Sequence, residues 1–85
     1  MATTYQDTAR GFTARPQKQQ IRLAMKFNRW TNAELARRAG ISPGTVGNVL
    51  GARATCNPET AAKIADALNV DTTDLFTLEP ITYAA

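Results

Sequence analysis

Eighty-five residues make at most one domain, with a modest core, because a short chain buries a smaller share of its surface. At 44% hydrophobic and 20% charged the composition is globular, with no apolar run long enough to span a bilayer and no signal-peptide stretch in residues 1–15, so a cytoplasmic protein is expected. The single cysteine, Cys56, excludes an internal disulfide, and the lack of histidine leaves zinc without a ligand set.

The net charge of +3 hides an asymmetry. Residues 1–56 carry nine Lys/Arg against Asp7 and Glu34, whereas residues 57–85 carry Lys63 against five acids. A basic front and an acidic back suit a molecule that turns one face to a polyanion. They suit an unevenly charged solvated surface equally well.

Residues 1–15 have no clear period and read as a flexible basic arm. Pro16 fits the first turn of a helix over residues 16–29, where Ile21, Ala24, Met25 and Phe27 fall close to helical spacing. Thr31 followed by Glu34 three positions on is a capping box, and Trp30 with Leu35 forms a hydrophobic staple. The second helix then runs from Asn32 to Ala39, and Gly40 ends it in the left-handed conformation. Ser42 and Pro43 are the N-cap and first residue of a third helix that Gly51 stops. Asn57 and Pro58 open a fourth, with Ala61, Ile64, Ala65 and Leu68 as its apolar face. Asp71 or Thr72 begins a short fifth helix holding Leu75 and Phe76. Pro80 argues against a central strand in the tail, and no internal repeat is expected. The outcome is an all-α, compact five-helix domain over residues 16–77, with a tail at 78–85.

Two short helices joined by a glycine turn are the physical minimum of a helix-turn-helix, here residues 31–50. The second helix of such a pair presents its N-terminal residues to base edges in the major groove, where all four base pairs look distinct. The stretch Thr31–Gly51, TNAELARRAGISPGTVGNVLG, resembles the lambda-repressor/Cro-like helix-turn-helix family. Leu35-Ala36 match the apolar pair of the first of these helices, Ala39-Gly40-Ile41 the turn, Ser42 the cap and Thr45-Val46 the middle of the recognition helix. Downstream, NPETAAKIADALNVDTTDLF looks like the family's closing pair of helices.

That resemblance implies roles. Asn32 sits where the family often places a glutamine on a phosphate. Pro43, Gly44, Thr45 and Asn48 fall where members face base edges, and Arg53 falls where a basic residue meets the backbone. Thr31 and Ser42 are implied phosphate contacts at helix starts. The sequence also departs from the pattern. Pro43 and Gly44 offer no side-chain readout, and Gly47 weakens the helix by roughly 1 kcal/mol relative to alanine. Direct readout then rests on Asn48, which pairs with adenine, and on the Thr45 methyl. Met25 stands at a position where the family is commonly basic, with Lys26 or Arg22 as substitutes. Arg15 and Lys18 of the arm are further expected DNA contacts, the rival reading being a disordered tail.

The expected function is a sequence-specific, double-stranded DNA-binding repressor, Cro-like or of the immunity type, in a bacterial cell and suited to phage or mobile-element regulation. It is expected to bind a palindromic operator as a homodimer, with Leu75, Phe76, Leu78, Ile81 and Tyr83 as the dimer contact. Alternatively these residues close the monomer's own core. No cofactor, metal, small-molecule effector or membrane partner is expected. An antitoxin that neutralises a partner protein is the rival reading. No histidine, paired carboxylates or phosphate loop points to an enzyme.

Overall fold

The computed structural model describes residues 11–80. Within them the order is β1 (Phe12–Pro16), α1 (Lys18–Asn28), α2 (Asn32–Ala39), α3 (Pro43–Leu50), α4 (Pro58–Ala67), α5 (Thr72–Leu75) and β2 (Phe76–Pro80). The five expected helices are all present, but the fold is not purely helical: β1 and β2 pair antiparallel into a two-stranded sheet. Residues 12–15, read from sequence as part of a flexible arm, are therefore strand. Residues 1–10, with Arg10, and residues 81–85, with Ile81 and Tyr83, lie outside the described residues.

The strands are two versions of one pattern, FTARP and FTLEP, joined in a register that sets Thr13 opposite Glu79 and Arg15 opposite Thr77. Ala14 exchanges both backbone bonds with Cys56, each 2.8 Å, so its N–H and C=O point away from β2. Alternation along an antiparallel ladder then directs Thr13 and Arg15 toward β2. The Gln17 N–H, bonded to Leu75 O at 2.8 Å, continues the same phase. Pro16 and Pro80 occupy the outward-pointing phase, so neither removes a ladder bond. That is why Pro16, expected inside a helix, instead ends β1. The first helix begins two residues later, after Gln17.

Caps and spacing define the remaining helices. Thr31 accepts a bond from the Glu34 N–H at 3.2 Å. The return half of the expected capping box is missing, because the Glu34 carboxylate turns to Arg37 and Arg38. Gly40 closes α2 with φ 73°, and the Ile41 N–H reaches back to Ala36 O at 3.0 Å. Asn57 caps α4 through the Glu59 N–H at 2.7 Å. The core joins Ile21 and Met25 of α1, Leu35 and Ala36 of α2, Val46, Val49 and Leu50 of α3, and Ala61, Ile64 and Ala65 of α4. Ala14 and Phe76 bring the sheet into it. Leu75 and Phe76, expected at a dimer contact, are 5% and 1% exposed. They close the monomer's own core and are not available to a partner. No helix among the described residues is long and apolar enough to cross a membrane.

Candidate nucleic-acid interface

The turn between α2 and α3 is built from both sides. Ser42 Oγ accepts the Thr45 N–H at 3.2 Å and lies 2.8 Å from Thr45 Oγ1. The two hydroxyls thus engage each other. Val46, Val49 and Leu50 face the core, which fixes the opposite side of α3 as its outer face. Gly44, Gly47 and Asn48, spaced i, i+3 and i+4, share that outer side. Pro43, Gly44 and Asn48 are exposed, and Thr45 and Gly47 are half-buried. The outer face is therefore nearly bare backbone with one amide side chain on it.

A groove runs along each flank of α3. One, of about 390 Å³, is lined by Arg22 and Lys26 of α1, Asn32 at the start of α2, and Gly47 and Gly51. The other, of about 210 Å³, is lined by Thr45, Asn48, Arg53, Asn57 and Thr60. Among the sequence-derived site residues, Asn32 lines the first groove, and Thr45, Asn48 and Arg53 line the second. Arg22 and Lys26, the expected substitutes for a basic residue at Met25, line the first groove, and Asn57 and Thr60 enlarge the set. Lys18, Arg22 and Lys26 recur every four residues and so share one face of α1.

Several cations expected at DNA are occupied within the domain. Arg15 bonds Glu79 through two nitrogens, at 2.7 and 3.2 Å, which joins β1 to β2. The hydrogen bond to Arg15, helped by its charge, lowers the Glu79 pKa below the usual carboxylate value. Lys18 Nζ donates to Gly51 O at 2.6 Å, and Arg22 donates to Leu50 O. Both therefore brace the C-terminal end of α3, where cations meet the negative end of the helix dipole. Arg37 and Arg38 share Glu34, whose pKa their hydrogen bonds lower. Arg38 also lies 4.5 Å from the centroid of the Trp30 ring. Trp30 is half-buried against the core, as its place ahead of the cap implied, and its covered face is no free stacking platform. Lys26, Arg29 and Arg53 make no ion pair among the described residues, so their charges face solvent or a ligand.

Residues 20–80 match the family model of the Cro/C1-type HTH DNA-binding domain. The chain belongs to that family. The Cro/C1-type match starts in α1 and ends with β2, so β1 lies ahead of it. No curated protein and no solved structure matches the chain. As a Cro/C1-type domain the molecule binds DNA and belongs among transcription regulators.

Proposed function

We propose that the protein is a sequence-specific repressor that binds a palindromic operator as a homodimer, with α3 in the major groove. What carries the reading is the outer face of α3. Gly44, Gly47 and Asn48 stand clear of the core, between two grooves that offer cations and amides. A helix seated in the major groove has a phosphate strand on either side. Arg22, Lys26 and Asn32 would meet one strand, and Arg53, Asn57 and Thr60 the other. Thr31 and Ser42 add helix starts at which phosphates are favoured. Pro43 and Gly44 let the first turn of α3 come close to the bases, and Asn48 reads one of them. Arg15 and Lys18 keep positive charge near the duplex while bonded to Glu79 and Gly51.

The test is selection of bound duplexes from a random pool, followed by affinity measurements across a salt series. A palindromic motif with half-sites about one helical turn apart supports the reading. Binding indifferent to sequence reduces the protein to a non-specific binder. Within the selected site, Asn48→Ala should cost about 1–3 kcal/mol and relax a single base position. An unchanged site preference overturns the assignment of Asn48.

One observation favours a second reading, an antitoxin that holds a partner protein and regulates its own gene. Leu23 and Phe27, one helical turn apart on α1, are 55% and 88% exposed and belong to neither the core nor the α3 face. Capture of a partner that Leu23→Ser/Phe27→Ser abolishes, with DNA binding intact, would support that reading.

A further inference from the structure

The recognition helix does not secure its own end. α1 and α2 close on left-handed residues, Arg29 with φ 59° and Gly40 with φ 73°. α3 closes instead on Gly51 with φ −117° and ψ −100°, and no basic residue stands in its last turn. Its sequence, PGTVGNVL, mixes glycines with β-branched residues, so its own preference for helix is poor, and at two turns it is too short to hold alone. The Gly51 and Arg53 N–H groups both return to Asn48 O, at 3.3 and 3.0 Å. The carbonyls of Leu50 and Gly51 are taken by α1. Arg22 donates to Leu50 O, and Lys18 Nζ donates to Gly51 O at 2.6 Å. These two cations stand one turn apart on α1, whose start is itself pinned: the Gln17 N–H bonds Leu75 O at 2.8 Å, and Ile21 and Met25 lie in the same core as Leu50.

We propose that Lys18 and Arg22 are positioning residues for base readout: they clamp the last turn of α3 and thereby hold Asn48 at its angle to the DNA. This rests on the reading above in which α3 enters the major groove and Asn48 reads a base. Asn48 belongs to the clamped turn, and its own carbonyl is the one on which the exit of α3 closes. The clamp is electrostatically favourable, since both cations sit at the negative end of the helix dipole. An amide that pairs with adenine must align two hydrogen bonds at once, so a small swing of its backbone costs readout. The same swing leaves the number of phosphates met unchanged. Arg22 also lines the groove that holds Lys26 and Asn32. One guanidinium therefore joins the phosphate-facing side of α1 to the end of α3, and contact made by α1 fixes how α3 sits. Lys18 lines neither groove and acts through Gly51 alone, which gives it a role other than the direct DNA contact expected from the sequence.

The test is Lys18→Met, which keeps the length of the stem and removes the donor. Its affinity for the selected operator should fall about tenfold, the cost of one hydrogen bond from a charged donor. Its affinity for an unrelated duplex and the slope of affinity against salt should stay parental, and the base position read by Asn48 should lose its preference. Lys18→Arg, which still reaches Gly51 O with a cation, should bind like the parent. In an Asn48→Ala background Lys18→Met should cost nothing further, because the two act as one unit. An equal loss on both duplexes, with the salt slope reduced by about one, makes Lys18 a phosphate contact and overturns the proposal. Parental operator binding by Lys18→Met overturns it too, as does a full loss in the Asn48→Ala background. Circular dichroism establishes that each variant is folded at the assay temperature. Amide hydrogen exchange gives a reading that needs no DNA: the Gly51 and Arg53 amides should exchange about tenfold faster in Lys18→Met, with those of α2 unchanged. Unchanged rates there mean that no clamp exists. A parent protein that selects no motif is a failure of the sequence-specific reading instead, and the exchange rates still decide for or against the clamp.

Discussion

Alanine at two glycines of the same segment should have opposite effects on stability. A Cβ built at Gly47 meets nothing within 4 Å, and Gly47 lies inside α3. Alanine there removes the entropic penalty of a helical glycine and should stabilise the fold by about 0.5–1 kcal/mol. In a domain this small, 1 kcal/mol moves the melting temperature by about 4–8 °C. A Cβ at Gly51 falls 2.8 Å from the backbone oxygen of Gly47. That is roughly 0.5 Å inside the ordinary carbon–oxygen approach of about 3.3 Å. Because backbone rather than a flexible side chain must yield, Gly51→Ala should destabilise by about 1–3 kcal/mol. Thermal melts of the two single variants read the signs directly. The DNA assay supplies the second half. If bare backbone on α3 is there for close approach to the duplex, Gly47→Ala binds the selected operator more weakly while melting higher. A stabilised Gly47→Ala with parental affinity refutes the close-approach idea. A Gly51→Ala variant as stable as the parent refutes the packing of α3 against its own exit turn.

Two further outcomes follow from the charges. Glu34 and Glu79 are held ionised by Arg37, Arg38 and Arg15, so their pKa values lie below the unfolded value of about 4.5. Their contribution to stability is complete above that value and is lost as the pH falls through the lowered native values. Glu79→Gln and Glu34→Gln should therefore flatten the acid limb of a stability-versus-pH curve, and unchanged limbs would count against both ion pairs. Burial pushes the Cys56 thiol up to about 11 from 9.0, with Arg53 opposing. Below pH 9 native Cys56 should alkylate about a hundredfold more slowly than in urea, in proportion to its thiolate fraction. Equal rates would mean that the thiol is open to solvent.

The helices were legible in the sequence because their signals are local. Thr31, Ser42 and Asn57 announce starts, Gly40 announces a stop, and the apolar spacing of Ala61, Ile64, Ala65 and Leu68 gives the buried face directly. The sheet was not legible, because its evidence is split between two five-residue segments far apart in the chain. Each contains a proline that argues against a strand when read alone. Only the pairing places Pro16 and Pro80 in the phase where a missing N–H costs nothing. The candidate site was half legible for a similar reason. The positions of Asn48 and Arg53 follow from their distance to the turn. The employment of Arg15 and Lys18 depends on Glu79 and Gly51, which no spacing rule connects to them.

The strand pair also sets the order in which the molecule can complete itself. Arg15 and Glu79 are separated by 64 positions, whereas α2, α3 and α4 are near neighbours in the chain. Contacts between nearby segments form first, because long loops must be closed before distant pairings are rewarded. Leu35, Val46 and Ile64 can meet before Phe76 is paired against Pro16. Ala14 must wait, and its place between Cys56 and Leu78 is filled only when β2 arrives. The strand that opens the described chain is thus the last part of it to find its seat.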